Sequence, residues 1–287
     1  MPTDSQSGRW LNPHAGINPP KSPPAPAGSA LTLAPPLRLA PMQSGPEQHF
    51  RAPEGLLNID DCVDARGEIV LPPGTTLVSL IERNVTNVGD TVAYRFLDFS
   101  RSEAETRELT WAQLDVRMRA IGARIQQAVP RGARIAILAP QGLDYVAAFF
   151  AVLKAGAVAV PLFAPELPGH AQRLEVVLGD AEPAILLTTV AAAAAVTGFL
   201  DRLPGPRPPV MVIDDIPDSA AGEFCVVDIT TDDVSHLQYT SGATRPPVGI
   251  EITHRAFVTN LIQMILSIDL LNRNTHGASW LPLYHDM

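Results

Sequence analysis

Apolar and polar positions change rhythm along the 287-residue chain, and each change predicts a different kind of element. Between residues 75 and 130 the spacing is helical. Leu77, Leu80, Ile81 and Val85 share one face of a helix that Thr75 or Thr76 could cap, and Gly89-Asp90 then turns into a half-exposed strand from Val92 to Leu97. Thr110 opens a stronger helix. Thr110-x-x-Gln113 fits a capping box, and Trp111, Leu114, Met118, Ile121 and Ile125 recur at intervals of three and four, a stripe read as core packing.

From Arg131 the rhythm shifts to short apolar runs alternating with helical segments, which predicts a parallel sheet covered on both faces. Arg134–Ala139 reads as a buried strand, Leu143–Ala155 as a helix stopped by Gly156, and Ala157–Leu162 as the next strand, a βαβ crossover. A second unit follows: a helix around Arg173–Leu178, strand Ala184–Thr189, helix Ala191–Leu200 and strand Val210–Asp214. Asp214-Asp215 sits at a carboxyl end where ligand groups gather, although such a pair is more often solvated. The fold class is α/β, with layered βαβ sheets.

Asp233–Tyr239 is the next strand, with His236 facing outward or satisfied in the sheet. After it comes a turn of hydroxyls and glycine, then the short extended piece Gly249–Ile252. Thr253 caps a helix whose core face carries Phe257, Leu261, Met264, Ile268 and Leu271, with His254 and Arg255 at the surface of its first turn. Gly277–Pro282 reads as a last strand.

Composition changes this picture at one end only. Twelve of the 28 prolines lie in the first 53 residues, including three Pro-Pro pairs, so residues 1–54 are expected to be a disordered tail and 55–287 the folded part. Gly55–Pro73 is a polar connector leading into it. A formal charge of −9 with no basic run excludes a broad nucleic-acid surface. Cys62 and Cys225 are too few for a disulfide framework or a zinc cluster. The longest apolar stretch, Leu143–Phe163, is divided by Asp144, Lys154 and Gly156 into helix and strand, so no integral membrane segment is expected. Without a secretory leader, the expected location is the cytoplasm.

Two stretches carry candidate chemistry. In Tyr239-Thr240-Ser241-Gly242-Ala243-Thr244-Arg245-Pro246-Pro247-Val248-Gly249, backbone N–H groups, three hydroxyls and the Arg245 fork could cradle phosphate oxygens. In Trp280-Leu281-Pro282-Leu283-Tyr284-His285-Asp286-Met287, a strand end presents Tyr, His and Asp. Trp280, Pro282 and Tyr284 would either line a ligand tunnel or pack in the core.

These residues resemble the adenylate-forming acyl ligases, whose phosphate loop reads Tyr-Thr-Ser-Gly-Ser/Thr-Thr-Gly-x-Pro-Lys-Gly. Tyr239–Thr244 match, whereas Arg245 replaces Gly and Val248 replaces Lys, spellings similar to fatty acyl-AMP ligases rather than acyl-CoA synthetases. Trp280–Met287 resembles the Trp-Leu-Pro-x-Tyr/Phe-His-Asp-Met segment of the same ligases. Further matches are Tyr94–Phe99, Ala139–Tyr145, Ala159–Phe163 and Pro168-Gly169-His170, closest to the subgroup serving mycolate-type polyketide synthases.

The resemblance implies the N-terminal domain of an adenylate-forming enzyme, incomplete at its C-terminal end. It implies ATP and Mg2+, a long-chain fatty acid substrate, and an acyl carrier domain of a polyketide synthase as partner. Thr240, Ser241, Gly242, Ala243, Thr244 and Arg245 would hold the phosphates, and His285 would act near the reacting carboxylate. Trp280, Tyr284, His285 and Asp286 would contact substrate. The family's acidic Mg2+ residue, ribose aspartate and lysine-bearing small domain have no counterpart in the sequence. A truncated remnant without turnover and an acyl-CoA synthetase are the alternatives.

Overall fold

The computed structural model describes residues 62–99, 105–165, 171–240, 246–268 and 276–284, all within the unit Phe50–Met287. The Pro-rich stretch, Pro168-Gly169-His170, Ser241–Arg245, Leu271 and His285–Met287 lie outside the described residues.

Helix α1 (Leu77–Val88) begins at a capping box in which Thr76 and Ser79 satisfy each other's backbone N–H groups. Strand β1 (Val92–Asp98) pairs antiparallel with β2 (Glu105–Thr110). The polar run Glu-Thr-Arg-Glu-Leu-Thr gave β2 no apolar alternation to announce it, and only pairing makes it a strand. Thr110 and Gln113 form the expected capping box of α2 (Trp111–Ala128), whose Leu114, Met118, Ile121 and Ile125 are fully buried.

The central sheet contains β3 (Arg134–Ile137), β4 (Val158–Pro161), β5 (Ile185–Thr188), β6 (Val210–Val212), β7 (Val234–Tyr239) and β8 (Gly249–Thr253). Its order is β6-β5-β3-β4-β7-β8, parallel throughout except for β8. Alternation in β3 builds two cores. Ile135 and Ile137 join α1, α2 and α3 (Leu143–Lys154) on one face. Ala136 and Leu138 join α4 (Ala171–Ala181) and α5 (Val190–Leu200) on the other. Gly156, at φ 72°, stops α3 as expected, and a Cβ there would stand 2.8 Å from Val227. The Lys154 ammonium, buried at the end of α3, is neutralised by Glu82 of α1 and Asp115 of α2 at 2.6 and 3.3 Å. Asp214 accepts from the Val190 N–H at 2.9 Å and so serves the start of α5.

Helix α6 (His254–Ser267), capped by Thr253, departs from the expectation. Its buried positions are His254, Val258 and Ile262, a stripe at intervals of four. The expected core face is only partly covered: Phe257 and Leu261 pack against the core, but Met264 is 51% and Ile268 62% exposed. His254, expected at the surface, is 2% exposed, because its N–H bonds the Asp233 carbonyl and pulls the first turn onto β7. Arg255 does face solvent, paired with Asp232. The segment 276–280 forms no ladder, and Leu281 and Tyr284 give their carbonyls to side-chain amides instead of a neighbouring strand.

Candidate functional site at the carboxyl edge

Helix α3 leaves β3 toward one face of the sheet and α4 leaves β4 toward the other. Chains that part in this way open a crevice outside the carboxyl ends of the two strands, the usual place for a ligand in an open α/β sheet. Four stretches singled out in the sequence meet there. Gln141, just after β3, donates from Nε2 to the Leu281 carbonyl at 3.1 Å. Gln238 of β7 donates to the Tyr284 carbonyl at 3.4 Å. The Tyr284 ring packs on Phe163, which follows β4, with centroids 5.1 Å apart. Tyr145 of α3 donates its hydroxyl to the Leu162 carbonyl at 2.9 Å, and burial holds its pKa well above the usual value, so it is a fixed neutral donor.

The hydroxyl-rich turn joins β7 to β8, so it is the tip of an antiparallel hairpin before it is the approach to a helix. Thr240 closes its neck: its N–H donates to the Val248 carbonyl and its Oγ1 accepts from the Val248 N–H, both at 3.1 Å. Arg173 Nη2 donates to the Thr240 carbonyl at 3.1 Å, and Tyr239 donates its hydroxyl to Asp180 Oδ2 at 2.6 Å. Burial first, then that carboxylate, pushes the Tyr239 pKa up. A small pocket beside the neck is lined by Phe163, Arg173, Gln238, Tyr239 and Tyr284 among others.

Of the expected site residues, Thr240 and Tyr284 thus lie at this edge. Trp280 is 88% exposed and touches neither core. Ser241, Gly242, Ala243, Thr244, Arg245, His285 and Asp286 lie outside the described residues. Sequence reasoning missed Arg173, Asp180 and Gln238. The seven-residue spacing of Arg173 and Asp180, two turns on one side of α4, was the only signal for the first two.

A cavity of about 520 Å³ lies at the opposite, amino edge of the sheet, between Arg131, Arg134, Asp233, Glu251 and His254. Its two arginines and two carboxylates balance, and Arg131 is already bonded to Asp233 at 2.8 Å, so it offers no net charge to select a ligand. Beside it, His236 is buried between Phe149 and Phe257, with ring centroids 5.7 and 5.4 Å away. Ser235 gives its one hydroxyl proton to the Ile252 carbonyl at 2.8 Å, so His236 Nδ1, 2.9 Å from Ser235 Oγ, is the donor in that pair. Burial, then the neighbouring His254, lowers the His236 pKa to about 4.

A doubly wound α/β sheet with an aromatic wall at its carboxyl edge is an architecture that takes its ligands at that edge. The family model for the AMP-binding enzyme matches residues 81–287, and the chain belongs to that family. It is 45% identical over 224 residues to the long-chain-fatty-acid–AMP ligase FadD32 of Mycolicibacterium smegmatis, covering 77% of this chain and 35% of that one. The Mycobacterium marinum protein of the same name is 42% identical, with the same shares covered. A solved fatty acyl-adenylate ligase from L. pneumophila, in complex with acyl adenylate and pyrophosphate, superposes with a TM-score of 0.66 at 26% identity, over 74% of this chain and 36% of that one. The chain therefore spans about a third of the length of the curated relatives it matches.

Proposed function

We propose that this chain supplies the phosphate- and acyl-facing part of a ligase that activates a long-chain fatty acid as its acyl-adenylate. A carboxylate oxygen attacks the α-phosphorus of ATP, an acyl–phosphate bond forms, and the bond to the β-phosphate oxygen breaks so that pyrophosphate leaves. The observation that carries the reading is the meeting, at one carboxyl edge, of the end of β7 with the Tyr284 segment and the ends of β3 and β4. Thr240, Ser241, Gly242, Ala243, Thr244 and Arg245 donate to the departing pyrophosphate, whose growing charge is what the site must neutralise. His285 donates to an acyl or phosphate oxygen, and Trp280, Tyr284 and Asp286 face the acyl side.

Among the described residues no three His, Cys, Asp or Glu side chains converge to hold a metal. That suits Mg2+, which keeps several waters and rides on substrate phosphates rather than in an all-protein cage. When bound it supplies charge neutralisation at the β- and γ-phosphates. The thiol of a polyketide synthase carrier domain then attacks the acyl carbon, a thioester forms and the acyl–phosphate bond breaks so that AMP leaves, a step supported by the spelling at Arg245 and Val248. We assign residues 1–54 as a tail outside this domain, 55–287 as the partial AMP-binding domain, and the cytoplasm as its place of work. No helix among the described residues is long and apolar enough to cross a membrane.

Calorimetry of the chain with ATP tests the reading. Arg245→Ala should weaken ATP binding roughly tenfold, the scale of one charge-assisted contact, and unchanged binding removes the phosphate assignment. A second reading is binding of nucleotide or acyl chain without turnover. ATP–pyrophosphate exchange by this chain alone, with a long-chain acid, would eliminate it.

A further inference from the structure

We infer that Arg173 and Asp180, two turns apart on α4, are positioning residues that set the mouth of the β7–β8 phosphate loop and so how tightly pyrophosphate oxygens are held there. The inference rests on the reading of that loop as a phosphate cradle, but its structural half stands separately. Among the described residues two bonds, both between Thr240 and Val248, close the neck of the hairpin from within. Such a neck can open unless something holds it from the side.

Helix α4 holds it at two points. Arg173 takes the Thr240 carbonyl, and because a peptide is planar this also sets the plane of the unit leading into the loop. Asp180 takes the Tyr239 hydroxyl one residue earlier. The Tyr239 ring cannot slide toward the partner strand, because it lies against the backbone of Gly249: a Cβ at that position would stand 2.8 Å from Tyr239 Cζ and 3.0 Å from its hydroxyl. The last glycine of the loop motif is therefore required by the packing of the first tyrosine. Asp180 reads the position of that ring. Among the described residues no carboxylate pairs with Arg173, so its charge is kept for the neck and for the pocket it lines beside Tyr284.

Hydrogen exchange at the Thr240 and Val248 amides, measured beside inorganic pyrophosphate affinity by calorimetry, tests the inference. Tyr239→Phe, which removes only the hydroxyl, and Asp180→Ala should each raise exchange at both amides roughly tenfold, with the β3 amides unchanged. Asp180→Asn keeps an acceptor and should restore protection and pyrophosphate affinity together, which a role in bulk stability alone would not produce. Unchanged exchange at the neck in Tyr239→Phe, or a uniform rise across the sheet, overturns the assignment. If exchange responds as expected while the parent chain binds no pyrophosphate, the positioning role stands and the phosphate reading falls.

Discussion

The centre of the sheet and its β8 edge are built from similar apolar residues, yet they obey the sequence to different degrees. In β3 and α3 the apolar interior is largely sealed, since Ile135 to Ala139 are buried on both faces of the sheet and Ala147, Ala148, Ala151, Val152 and Leu153 are buried on the helix. In α6 the same kind of periodicity marks Phe257, Leu261, Met264 and Ile268, yet the buried positions are His254, Val258 and Ile262, and Phe257 and Leu261 are only partly covered. Met264 and Ile268 stay in water with Ile250 of the edge strand. Apolar spacing reports that a face can be buried. Whether it is buried depends on what stands opposite.

The largest way to test that contrast is to empty the centre. Leu153→Ala should cost about 3–4 kcal/mol, as for other fully enclosed leucines whose cavity cannot collapse, and should lower the urea midpoint without changing the slope of the transition. A loss below ~1 kcal/mol would mean that α3 is no better packed than the edge.

The next effect lies where the two regions join, at His236. Its folded pKa of about 4 is below the ordinary value of 6.5, so above pH 6.5 both states are neutral and it contributes no pH dependence. As pH falls from 6.5 to 4 the unfolded chain takes up the proton first, and stability should decline by about 3 kcal/mol before levelling off. In His236→Gln that segment of the stability profile should become shallower, leaving the share of His254, whose pKa burial also lowers. Equal slopes in the two proteins would show that the imidazole is not sealed between Phe149 and Phe257.

At the edge the smallest change is expected. Met264→Glu combined with Ile268→Glu should leave unfolding free energy within about 0.5 kcal/mol per site, because both side chains are already more than half exposed. The same variant should raise the temperature at which light scattering sets in, since an exposed apolar stripe beside an open strand edge promotes aggregation. A loss of several kcal/mol would place this stripe inside after all.

Much of the fold was legible because its signals are local. Thr76 and Thr110 cap their helices through bonds made within three residues, and Gly156 stops α3 through its own φ. The strands β3, β4 and β5 could be read from runs too apolar to lie anywhere but inside. Strand β2 could not, because its polar residues become a strand only by pairing with β1. The expected strand at Gly277–Pro282 failed for the converse reason: extended residues without a neighbouring strand use Gln141 and Gln238 instead.

The sequence by itself determined the α/β class, the helix caps, the sheet-forming runs and the two motif stretches, since each depends on residues close together in the chain. Only the tertiary structure decided that the ends of β3 and β4, β7 and the Tyr284 segment share one edge, that His254 lies inside, and that Arg173 and Asp180 hold the neck of the hairpin. The bonds of Gln141, Arg173 and Tyr239 among them join residues 59 to 140 positions apart. No local preference encodes such contacts, because they form only when separate helices and strands compete for the same space.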